Sequence, residues 1–155
     1  MIMEGGVAEL SERYAEDRAI QLSRRIEDWA SWLAMWMVYW ANHKPENEAE
    51  KPKIGGHQAS TVCGTTVLTA LYLHIKRPQD RIVAKPHASP FLYALMYLFD
   101  RLSREEIEGL REFGLLEPYP TQHSNPDFVD YSASIEGLAP CAAVEDAYEA
   151  MVQLH

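Results

Sequence analysis

Several things are scarce in this chain, and each scarcity closes a class of function. Cysteine occurs only at Cys63 and Cys141, far apart in 155 residues. Two distant thiols cannot staple a loop-rich secreted domain, so a disulfide framework is excluded and a reducing, cytoplasmic location is expected. Each is expected to act as a small buried hydrophobe. Basic residues are outnumbered, 14 Lys and Arg against 23 Asp and Glu, for a formal charge of -9. That balance leaves no electrostatic footprint for nucleic acid and no attraction to an anionic membrane. No apolar run approaches the roughly 18 residues that span a bilayer, and no basic start followed by an apolar core marks a secretory signal. There is no Gly-rich phosphate loop ending in Lys-Ser or Lys-Thr, no dinucleotide fingerprint and no Gly-x-Ser-x-Gly elbow. The six histidines, 43, 57, 74, 87, 123 and 155, form no dense metal-ligand spacing. No carboxylate pair stands out as an acid/base couple.

What the chain does have is one organised stretch, Gly55 to Pro90. It opens on Gly55-Gly56-His57 and closes on His87-Ala88-Ser89-Pro90. Two histidines thus stand at the two mouths of one helix-to-strand unit. The glycines permit a tight turn and a close approach of backbone to a ligand. Ser89 is a good N-cap and Pro90 suits the first helical position, so backbone N–H groups able to hold an anion gather after His87. An ordinary turn and an ordinary capped helix remain the competing reading.

With 47% hydrophobic and 24% charged residues, 155 residues suffice for a single domain with a real core. Ser11 to Asn42 lacks Gly and Pro and is expected to be one helix, amphipathic to Asp28 and almost wholly apolar from Trp29 to Ala41. Trp29, Trp32, Trp36 and Trp40 fall at spacings of three and four on one face. Core packing is the first expectation for that stripe and a subunit interface the second. Residues 44–54 read as a solvated linker. A second helix is expected from Gln58 to Ile75, with Val62, Cys63, Val67, Leu71 and Ile75 inward and His74 suiting its C-terminal dipole. Arg81 to Ala84 reads as a short buried parallel strand. A third helix runs from Pro90 to Leu102. Ser103-Arg104-Glu105-Glu106 is a capping box starting a fourth, which Gly114 ends. Residues 115–133 form an irregular loop, and a last helix begins at Pro140.

Taken in register, these elements resemble a known family. Gly55-Gly56-His57-Gln58-Ala59-Ser60, Leu68-Thr69-Ala70-Leu71-Tyr72, His87-Ala88-Ser89-Pro90, Tyr119-Pro120 and Gly137-Leu138-Ala139-Pro140 resemble the N-terminal part of thiamine-diphosphate enzymes of the transketolase type. The branch that the segments resemble most is the homodimeric pyruvate dehydrogenase first component and its transketolase-like relatives. The resemblance implies an α/β fold, here an N-terminal fragment of a thiamine-diphosphate-binding domain, mostly helical with one or two short parallel strands. It implies that His57 and His87 face the coenzyme and substrate as catalytic and binding residues. It also implies that Gly137, Leu138 and Ala139 meet the coenzyme through their backbone.

The departures also carry implications. Thr121 stands where the family often has histidine, His123 comes two residues late, Ala139 replaces a glycine, and Glu136 adds negative charge. The Gly-Asp-Gly motif that binds magnesium in the family is absent, as is the domain whose glutamate activates the aminopyrimidine. The resemblance therefore implies a subunit of a split enzyme, inactive alone. Its coenzyme would be thiamine diphosphate with Mg2+, its substrate a small ketose or 2-oxo acid, and its partners subunits carrying the metal motif and the pyrimidine-binding domain. A non-catalytic structural or regulatory module derived from the family is the alternative.

Overall fold

The computed structural model describes residues 3–47, 53–83, 85–126, 129–131 and 138–153. The frame is one helix, α1, Met3–His43. Its inner face is the run of small and medium residues Ala30, Leu33, Ala34, Met37, Val38 and Ala41, all buried. All six are linked by the three- and four-residue spacings that keep side chains on one stripe. Against that stripe lies α4, Ser89–Leu98, whose residues Ser89 to Met96 are all buried. Alanines at positions 30, 34, 41 and 94 let the two helices approach closely, and Phe91, Leu95, Tyr93 and Met96 fill the remaining space.

The tryptophan stripe is not core. Trp29 and Trp32 are 62% and 53% exposed, Trp40 is also exposed, and only Trp36 is half-buried. They contact one another instead: Trp29 and Trp32 edge to face at 6.4 Å, Trp36 and Trp40 stacked at 6.0 Å. α4 covers the adjacent alanine face because bulky indoles would hold two helices apart.

The helix expected over 58–75 is broken. α2 is Gln58–Thr61 and α3 is Thr65–Ala70, followed by a π-helical turn, Leu71–Ile75. Gly64 separates them at φ 90°, a left-handed conformation natural to glycine. The break shifts the register. Thr61 and Thr69 are buried and Leu68 and Tyr72 pack on the α1–α4 core, whereas Cys63, Val67 and Ile75, expected inside, are exposed. Cys141 is exposed too, so neither thiol is the buried hydrophobe expected of it.

α4 ends at Leu98. The capping box is present as read: Ser103 Oγ accepts from the Glu106 N–H at 3.3 Å, and the Glu106 carboxylate accepts from the Ser103 N–H at 2.7 Å. The helix it starts, α5, is Arg104–Glu108 and ends at Gly109 rather than Gly114. α6 is Leu138–Gln153 and exposes Val144, Tyr148, Met151 and Val152.

Among the described residues there is no named strand. Val83 forms a single parallel bridge to Tyr131, and Leu110 another to Leu116. The mostly helical expectation holds, and among the described residues the short parallel strands are reduced to isolated bridges. Asp130 reinforces the first bridge by accepting from the Ile82 N–H at 2.8 Å and facing Lys76 at 3.6 Å.

Candidate functional site

His57 occupies the position before α2, with extended backbone at φ -116° and ψ 127°. Its carbonyl accepts from the Thr61 N–H, the Thr61 hydroxyl and the Ser60 hydroxyl, so the backbone is held while the side chain stays exposed. α2 is fastened to α1 by Gln58 Nε2, which donates to the Met35 carbonyl at 3.1 Å.

His87 sits in a 3-10 turn, Pro86–Ala88, leading into α4. Pro86 and Ala88 are buried and His87 between them is exposed. α2 packs against this turn and against α4. The segment that follows His57 and the segment that carries His87 are therefore neighbours, although the two histidines stand 30 positions apart in sequence. Tyr119 joins them, its ring 6.4 Å from the His87 imidazole at a 55° tilt. Tyr93 helps bring that loop in: its buried hydroxyl donates to the Glu117 carbonyl at 3.0 Å. Burial, and then the nearby Glu117 charge, push the Tyr93 phenol above its usual range, so it remains a neutral donor.

Other residues named from sequence fall elsewhere. Ser89 is not the N-cap; it is the first residue of α4, buried, and its hydroxyl donates to the Pro86 carbonyl. Ala88 takes the cap position without a side-chain bond. Thr121 is engaged in a local turn, its hydroxyl 2.8 Å from Ser124 Oγ, and His123 is exposed beside it. His74 lies 2.6 Å from the Ser23 hydroxyl through Nε2, a tie to α1. Leu138 and Ala139 begin α6, and Gly137 lies outside the described residues, as does Glu136. Among the described residues no group of three or more His, Cys, Asp or Glu side chains could hold a metal ion. No helix there is long and apolar enough to cross a membrane.

The glycine pair turns out to serve the fold itself. A Cβ on Gly55 would lie 2.6 Å from the Val38 carbonyl and 2.9 Å from both Ala41 Cβ and Asn42 Oδ1. The space that glycine opens there is filled by α1, not left to a ligand. Gly56, at φ 85°, is approached by the Arg111 guanidinium, 3.1 Å from where its Cβ would be. Asn42 is the residue that sequence reasoning missed. It is buried near the end of α1; its Oδ1 accepts from the Gly55 N–H at 2.7 Å and its Nδ2 donates to the Gly56 carbonyl at 3.1 Å. No spacing rule marks a lone asparagine so far upstream of a turn. Lys44, at the start of the segment read as a solvated linker, is likewise buried and ion-paired to Glu112.

Comparison with known proteins assigns the chain's similarity to an enzyme class, the E1 components of pyruvate dehydrogenase. The pyruvate dehydrogenase E1 component of Corynebacterium glutamicum is 30% identical over 140 residues, covering 82% of this chain and 14% of that protein. Those of Mycobacterium tuberculosis and Escherichia coli are each 28% identical, covering 81% and 83% of this chain and 14% and 15% of theirs. The chain thus spans about a seventh of the length of these curated relatives. No protein-family model matches the chain, and no solved structure does.

Proposed function

We propose that this chain supplies part of the coenzyme and substrate pocket of a thiamine-diphosphate-dependent enzyme. It would act as one subunit of a split transketolase-like assembly that is inactive without its partners. The observation that carries the reading is the similarity to pyruvate dehydrogenase E1 components over about four fifths of the chain. The packing of α2 on the Pro86–Ala88 turn supports it, since that packing gathers the His57 and His87 segments with Tyr119. The reaction class is 2-oxo acid decarboxylation or ketol or acyl transfer, on a small 2-oxo acid or ketose.

The residues present suit one side of such a coenzyme. Two exposed imidazoles can donate to, or accept from, a diphosphate or a substrate oxygen. When bound, thiamine diphosphate supplies the carbanion chemistry. This chain's part is to hold and orient: His57 on a backbone fixed by three donors to its carbonyl, His87 on a turn anchored by buried neighbours. Leu138 and Ala139, with Gly137, contribute backbone contacts. Magnesium and its Gly-Asp-Gly ligands, and the acid that activates the aminopyrimidine, come from other subunits. The exposed Trp29–Trp32 pair and the apolar side of α6 suit partner contact.

The alternative, a non-catalytic module of the same descent, is favoured by Thr121, whose hydroxyl is spent on a local turn. The two readings part in one experiment. The chain is co-expressed with co-encoded proteins carrying a Gly-Asp-Gly motif, and thiamine-diphosphate-dependent consumption of pyruvate and of ketose donors is followed. His57→Ala and His87→Ala should each lower turnover by about a hundredfold or more. Turnover that both variants leave intact removes the site assignment.

A further inference from the structure

The Gly55-Gly56-His57 turn is gripped from two sides. On one side the Asn42 carboxamide engages Gly55 N–H and the Gly56 carbonyl together, a two-point contact of the kind two peptide groups make. Asn42 has the complete set of atoms for this, one acceptor and one donor in a planar group. It is 8% exposed, so water does not compete for either bond. Its own carbonyl accepts from Lys53 Nζ at 2.9 Å, tying the incoming segment to the same point of α1.

On the other side Arg111 Nη1 donates to the Ile54 carbonyl at 2.8 Å, and the guanidinium lies over Gly56. Arg111 has positive φ, 65°, an unusual conformation for a non-glycine residue. The turn after α5 imposes it: the Arg111 N–H donates to the Leu116 carbonyl at 2.7 Å. Its Nε is buried with no hydrogen-bond partner. A strained backbone and an unsatisfied buried nitrogen are both tolerated in order to deliver one guanidinium to this turn.

We propose that Asn42 and Arg111 are positioning residues for His57: Asn42 holds the Gly56–His57 peptide plane, both hold the Ile54–Gly55 plane, and so they set the direction in which the His57 imidazole leaves the chain just before α2. This deepens the pocket assignment above and rests on it for the purpose of the arrangement, but not for the geometry. Neither residue is assigned contact with coenzyme or substrate. Asn42 acts through the Gly55 and Gly56 backbone, Arg111 through the Ile54 carbonyl.

The test uses the full chain alone, by amide hydrogen exchange and by the NMR signals of the His57 imidazole. Asn42→Ala should speed exchange of the Gly55 amide by about tenfold while Phe91 and Leu95 in α4 keep their protection. The His57 ring signal should shift or split, and the His87 signal should stay. Asn42→Asp keeps the acceptor for Gly55 and loses the donor to Gly56, so it should retain Gly55 protection and still disturb His57. It also serves if the alanine variant does not fold. Arg111→Lys, which can still donate to Ile54, should restore what Arg111→Met loses. A Gly55 amide and His57 signal unchanged in Asn42→Ala would overturn the proposal. So would a loss of protection spread equally through α4, which marks a purely structural residue. Because no coenzyme is needed, a chain that behaves as expected here yet supports no turnover with its partners would remove the functional reading and leave the positioning role standing.

Discussion

Replacing Gly55 by alanine should damage this fold more than any change of one methyl group has a right to. Gly55 is buried, and its φ is not in the left-handed region, so the cost does not come from backbone strain. It comes from space. The new Cβ would meet the Val38 carbonyl at 2.6 Å and Ala41 Cβ and Asn42 Oδ1 at 2.9 Å. Two of these atoms are backbone or the stub of an alanine and cannot rotate away. Relief requires moving the turn off α1, which carries an overpacking cost of about 1–3 kcal/mol. It also stretches the 2.7 Å bond from the Gly55 N–H to Asn42, worth about 1 kcal/mol. The sum, about 2–4 kcal/mol, is a large share of the stability of an ordinary domain. Urea unfolding followed by tryptophan fluorescence measures it, as a lower midpoint with unchanged slope. A variant within about 0.5 kcal/mol of the parent would refute the close packing of the glycine turn on α1, since that is the scatter of neutral surface changes.

Two further outcomes follow from other parts of the molecule. Burial, and then the charge of Asp130, raise the Tyr72 phenol from 10.0 to about 12. Its folded-state pKa lies above its unfolded one, so the contribution is whole below pH 10 and is lost as pH climbs to 12. The unfolding free energy should fall across that window by roughly 3 kcal/mol, and a Tyr72→Phe chain that loses stability just as steeply would contradict the assignment. Changing Trp29 and Trp32 together to serine should alter unfolding by less than about 0.5 kcal/mol, because both are more than half exposed, while weakening co-purification with the partner subunits proposed above. A large loss of stability instead would return the pair to the core.

Local chemistry was enough to locate the long first helix, the capping box at Ser103 and Glu106 and the mostly helical character, because propensity and capping act within a few residues. Periodicity also grouped the tryptophans correctly on one side. It could not say which side would be covered. That choice belongs to α4, whose closely packed surface fits the alanines at 30, 34 and 41 and not the indoles beside them. The inward stripe assigned over 58–75 failed for a related reason: a periodic pattern assumes an unbroken helix, and Gly64 breaks it. The grip on the glycine turn joins Asn42 near the end of one helix to Arg111 past the end of another, and only chain folding brings them to Gly55 and Gly56. Hydrogen bonds between such distant residues leave no period or local composition to read, so their partners emerge only once the helices have packed.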